Sequence, residues 1–179
     1  MFLESRLFYL IFFLLQLVLK EYRFVVWMDT SHRFKTHLLD DLFAEARQKG
    51  IMVDDKGKSL TETIPARTRK TLFDYLGEHP CTFRYDGEKQ GGFLLFYNSP
   101  FVTRYFLRPL VSCALAVGCM DPVDNSWNYK YLLCPHYPKM FDWHRCHRFD
   151  QSMIGILYTR LFHGNFSEHA VDHKYFHFH

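Results

Sequence analysis

The chain lacks an apolar run of the ~20 residues that a spanning helix needs, a CxxC pair among its five cysteines, and an excess of charge of either sign. Each absence removes a class. The 22 basic and 19 acidic residues are interspersed, so a net charge of +3 leaves no basic face for nucleic acid, which is excluded as a partner. The longest apolar stretch, Leu7 to Leu19, is broken only by Gln16 and bounded by Arg6 and Lys20. No small-residue cleavage site follows it, so a buried helix of an αβ unit is preferred to a signal core. The segment also remains a candidate for membrane attachment through residues 7–19. Cys134, His136, His144, Cys146 and His147 lie close together, but their spacings match no standard zinc pattern.

What is present is enough for one domain over residues 1–179. A chain 48% hydrophobic and 18% aromatic buries a real core. Cys113, Cys119, Cys134 and Cys146 fall in the second half and suit either two disulfides, with Cys81 left over, or buried free thiols. Asn165-Phe166-Ser167 is a glycosylation sequon that fits a lumenal setting.

The most telling segment is Phe24-Val25-Val26-Trp27-Met28, an unbroken β-branched and aromatic run cut off by Asp29-Thr30-Ser31. It reads as a strand covered on both faces, with Asp29 delivered at its carboxyl end, where open α/β sheets place their ligands. Phe93 to Tyr97 has the same character and is expected to lie beside it. The pair Gly91-Gly92 just before that strand suits either a bulge or the close approach of backbone to a ligand. Between the strands, Asp40 to Lys49 reads as a helix stopped by Gly50, and Pro65 opens another that Gly77 closes. Cys81 to Tyr85 reads as a short strand. Ser99 and Pro100 start a helix to about Val117, with a break expected near Leu107 because Pro109 lies inside it.

Cys146-His147-Arg148-Phe149-Asp150-Gln151-Ser152 gathers polar groups where a helix running toward Gly164 begins. Asp150 suits a capping role there, or a carboxylate kept ionised by the helix N-terminus. Residues 164–179, rich in histidine, read as a frayed tail.

Leu17 to Tyr22 leading into Val26 to Phe34, then Gly92-Phe93 ahead of Asn98-Ser99-Pro100, and finally Cys146 to Ser152, resemble an uncharacterised animal family expanded in nematodes. That family is in turn similar to GT-A type nucleotide-sugar glycosyltransferases. The resemblance implies a mixed α/β sheet flanked by helices, lacking the first βαβ unit of a GT-A domain, and so a truncated or divergent member. It implies a secretory-pathway protein moving a sugar from a nucleotide donor to a glycan or protein acceptor. The alternative is a non-catalytic binding or structural domain of the same descent. Asp29 stands where an Asp-x-Asp motif would hold Mn²⁺ or Mg²⁺, but the second acid is replaced by Ser31. Asp29 and Asp150 are the implied catalytic residues. Trp27, Ser31, Arg33, Gly91, Gly92, His147, Arg148 and Gln151 are the implied substrate-binding set, with His147 or Arg148 steadying phosphates.

Overall fold

The computed structural model describes residues 2–55, 57–120, 143–144, 146–162 and 166–178. Its centre is a three-stranded sheet of β1 (Phe24–Met28), β4 (Lys89–Tyr97) and β3 (Ile51–Asp55), in the order β1-β4-β3. The two apolar runs are neighbours, as their matching character predicts: Phe24 pairs with Tyr97 and Met28 with Phe93. Both ladders are antiparallel. Unbroken apolarity therefore reports burial on two faces here, not parallel pairing.

Alternation along the strands divides the core in two. Val25, Trp27, Ile51, Val53, Leu94 and Phe96 face the larger cluster, with Phe12, Leu15, Leu19, Phe106, Leu110 and Tyr158. Phe24, Val26, Met28, Met52, Phe93 and Leu95 face the smaller one, against Leu42, Ala46, Val171 and Phe176. The larger cluster is built by α1 (Phe2–Glu21), α5 (Arg108–Leu115) and α6 (Phe149–Leu161), and the smaller by α2 (Asp40–Lys49). This is a mixed α/β layered arrangement. No helix among the described residues is long and apolar enough to cross a membrane. α1 buries Phe12, Leu15 and Leu19 and leaves Phe13, Leu14, Leu17 and Val18 in solvent, so it is a core helix on one face only.

Most local signals act where expected. Gly50, at φ 79°, ends α2 by donating its N–H to the Ala46 carbonyl. Ser99 Oγ accepts from Val102 N–H at the start of α4 (Pro100–Val102), and a π-turn over Thr103–Leu107 precedes α5. That turn is the expected break, since Pro109 brings no N–H to the helical ladder.

Three expectations are corrected. The helix opened by Pro65 is split into a 3₁₀ turn, Pro65–Arg67, and α3 (Lys70–Leu76). Between them the Thr68 carbonyl meets His144 Nδ1 at 2.8 Å, and Arg69 N–H donates to His147 Nδ1 at 3.4 Å, so tertiary partners take the bonds a helix would use. Cys81–Tyr85 is not a strand. Pro80–Phe83 is a 3₁₀ turn with the Cys81 N–H donated to the His79 ring, and among the described residues no strand lies alongside to complete a ladder. The histidine-rich tail is not frayed throughout: β5 (Phe176–Phe178) pairs antiparallel with β2 (His32–Phe34), because Phe176 stacks on Phe93 at 4.3 Å. The Gly164 stop lies outside the described residues.

Cys113 and Cys119 form a disulfide, Cys146 is disulfide-bonded as well, and Cys81 is a free exposed thiol. The disulfide reading is the one the structure shows, with Cys81 left over. Cys134 lies outside the described residues.

Candidate functional site

The two glycines lie at a fault in the sheet. Val53 pairs with Leu94, but the next β3 residue, Asp54, pairs with Gln90, so Gly91, Gly92 and Phe93 have no partner on β3. Val171 N–H takes the Val53 carbonyl at that point. On its other side β4 keeps its ladder, and Asp29 N–H donates to the Gly92 carbonyl at 2.8 Å. Of the two alternatives from sequence, the bulge is the one seen.

Each glycine has a carboxylate against it. A Cβ placed on Gly91 would stand 3.1 Å from Asp150 Oδ2 and 3.1 Å from Gln151 Cγ. One on Gly92 would stand 2.9 Å from Asp29 Oδ2 and 2.6 Å from His32 Cε1. Successive Cα atoms are ~3.8 Å apart, which puts the two carboxylates within roughly 13 Å of each other. The first Cβ is crowded and the second cannot be accommodated without movement, so glycine at both positions lets the acids close on the strand.

The acids differ in environment. Asp29 is exposed at the strand end, where its carbonyl accepts from His32 N–H at 3.0 Å. Asp150 is half-buried in the first turn of α6, and burial is the main cause that raises its carboxyl to about pKa 6. The negative charge of Asp29 adds to the rise, while the N–H of Gln151 and the Arg148 guanidinium oppose it. Asp150 is not the cap residue expected from sequence: α6 starts at Phe149, and Arg148 holds the cap position. Phe149 has φ 37°, a strained value for a large side chain, and it sets the turn that aims Asp150 at β4.

The remaining candidates separate. Gln151 Nε2 donates to Gln90 Oε1 at 3.2 Å and so docks α6 onto β4 beside Asp150. Arg148 is exposed and lines a crevice with Arg67, Glu88, Gln151 and Ser152, whose walls leave no room for a water molecule. Ser31 Oγ lies 3.4 Å from His32 Nδ1, and Arg33 Nη1 folds back onto the His32 carbonyl at 2.6 Å, closing the turn after Asp29. Trp27 instead packs against the larger core cluster. His147 is corrected as a phosphate ligand. Its Nε2 lies 2.8 Å from the Met120 carbonyl and its Nδ1 accepts from Arg69 N–H, and burial depresses its pKa to about 4. A neutral imidazole bonded at both nitrogens latches a loop and offers an anion no charge.

Two groups escaped sequence reasoning. His32, buried beside the stacked rings of Phe93 and Phe176, shares the Gly92 surface with Asp29; its place three residues after Asp29 was the available signal. Lys89 is buried in an ion pair with Asp55 and lies 5.4 Å from the Tyr158 ring centre, with burial lowering its pKa. Nothing in the polar stretch Asp86-Gly87-Glu88-Lys89 hints at that burial.

The metal question rests on donors. Among the described residues no group of three or more His, Cys, Asp or Glu side chains is placed to hold a metal ion. His144 and Cys146 are engaged with a backbone carbonyl and a disulfide. Asp29 alone suits a Mn²⁺ or Mg²⁺ that takes its other ligands from a diphosphate and water, not a metal caged by protein. No family model matches the chain, nor does any characterised protein or solved structure.

Proposed function

We propose that this chain is a glycosyltransferase-like domain of GT-A type that takes a nucleotide-sugar donor at Asp29 and an acceptor hydroxyl at Asp150. The reading is carried by two carboxylates set against adjacent glycines, on either side of the β4 end and near enough for the charge of Asp29 to raise that of Asp150, one exposed and one lifted to about pKa 6. Two acids held in unlike environments are the usual arrangement where one carboxylate stays charged and the other moves a proton. The ionised Asp150 accepts the proton of the attacking hydroxyl while the acceptor oxygen bonds to the anomeric carbon and the diphosphate leaves with the bonding pair. Asp29 would hold a divalent ion on the donor diphosphate, where such an ion neutralises charge on the leaving group. Gln151 positions the α6 turn, and Arg148 adds positive charge at its mouth. The disulfides support a secretory setting, where such bonds persist.

A second reading, a non-catalytic binding domain of the same descent, is favoured by one feature. The crevice beside α6 is filled by its own side chains, whereas ligand sites commonly offer ~300 Å³ or more. Calorimetry of the full chain with nucleoside diphosphates and their sugars, with and without Mn²⁺, separates the two. Binding that requires Mn²⁺ and weakens at least tenfold in Asp29→Asn supports the transferase-like reading. No heat with any donor at millimolar concentration leaves the binding domain.

A further inference from the structure

β1 is an edge strand: among the described residues it pairs with β4 alone. The direction of its free groups follows from two hydrogen bonds. Asp29 N–H reaches the Gly92 carbonyl and the Arg23 carbonyl accepts from Asn98 N–H, so odd-numbered residues point their backbone groups at β4. Phe24, Val26 and Met28 therefore direct theirs outward. This edge carries no charge, no proline and no ladder irregularity, the devices that usually keep a strand from pairing with another chain.

The helix above that edge is also uncovered. Among the described residues α1 contacts β1, α5 and the π-turn but forms no substantial contact with the inner strands, so it sits over the rim of the sheet. Its face opposite the core carries Phe13, Leu14, Leu17 and Val18, at 45%, 53%, 46% and 38% exposure, and Tyr22 follows at 59%. A helix apolar on both faces is stable only when both are covered.

We infer that a second copy of this chain covers this rim: β1 pairs antiparallel with β1 of the other copy about a two-fold axis near Val26, and the two α1 faces meet above it. The result is one continuous six-stranded sheet, with both helices on the same side. A two-fold axis normal to the sheet satisfies the outward groups of both edges at once and closes the assembly. Lipid is a poorer occupant, since hydrocarbon leaves the β1 backbone groups unpaired. The area is adequate: the five exposed side chains offer roughly 450 Å² per copy, and β1 brings the total for two copies toward the ~1,200 Å² of a stable interface. The inference is independent of the proposed chemistry, and its failure would leave that reading untouched.

Sedimentation velocity on the full chain between about 1 and 100 μM tests it, with thermal unfolding to verify folding. Val26→Pro removes an outward N–H and none of the β4 ladder bonds, and Leu14→Glu/Leu17→Glu charges the exposed α1 face. A dimer for the native chain and at least tenfold weaker association in both variants, each still folded, is the expected result. A native chain monomeric at 100 μM overturns the inference. So does a dimer indifferent to both variants, or a monomer that floats with phosphatidylserine-containing vesicles, which would make lipid the occupant. If Val26→Pro fails to fold, the α1 variant decides alone.

Discussion

Replacing Asp150 by Asn should stabilise the protein at neutral pH. Its carboxyl has a pKa of about 6 in the fold against 3.8 outside it, so ionising it opposes folding. Each unit is about 1.4 kcal/mol, which sets a ceiling of about 3 kcal/mol at pH 7. The group is half-buried, and Asn also forfeits about 0.5 kcal/mol of favourable interaction with the helix N-terminus, so a net gain of about 1 to 2 kcal/mol is expected. The sign follows from proton counts: between pH 4 and 6 the folded chain holds the proton more tightly than the unfolded one, and this group's contribution falls as pH rises. His147 slopes the other way, because its pKa is depressed from 6.5 to about 4 and the unfolded chain binds its proton first. The two slopes partly cancel in the native chain. The informative quantity is therefore the difference between Asp150→Asn and the native chain, by urea unfolding at pH 4 and pH 7. It should be near zero at pH 4 and favour the variant by about 1 to 2 kcal/mol at pH 7. A variant less stable by about 1 kcal/mol at pH 7 would show Asp150 to be an ordinary helix-start acid and refute the functional argument.

If a sugar-transfer activity is found, its rate should rise with pH through about 6 as Asp150 ionises, and Asp150→Asn should flatten the profile. Gly92→Ala should cost about 1 to 3 kcal/mol in unfolding experiments, and Gly91→Ala less, because the first Cβ meets the rigid His32 ring and the second meets flexible side chains. Lys89→Ala should cost about 3 to 5 kcal/mol by stranding Asp55 in the interior, whereas Lys89→Met with Asp55→Leu should recover most of it. Cys113→Ala/Cys119→Ala should lose about 2 kcal/mol, since the bridge closes a short loop with a sequence separation of 6, and reductant should lower the melting temperature of the native chain more than that of the variant.

Elements whose evidence is local were legible in the sequence. Phe24 to Met28 and Phe93 to Tyr97 are strands because β-branched and aromatic residues fit a pleated, covered surface, and Gly50 ends a helix because it can take a positive φ. Asp29 stood out as an acid ending an apolar run, and the glycine pair and Asp150 as permissive or polar residues where an apolar element begins. Choices of partner were not legible. A continuous apolar run states that both faces are covered but carries no sign for strand direction, so the antiparallel order β1-β4-β3 emerged only from the fold. The Pro65 helix was split by bonds from His144 and His147, nearly 80 positions away, and Lys89 became a buried cation only because Asp55 is its cross-strand neighbour. Periodicity and propensity record what a segment needs from its surroundings, while the packing of distant segments decides which surroundings it gets. For this protein the sequence by itself determined the two central strands, the caps at Gly50 and Ser99 and which acids stand out; only the tertiary structure brought the two acids against adjacent glycines of β4, because that contact joins three segments far apart in the chain.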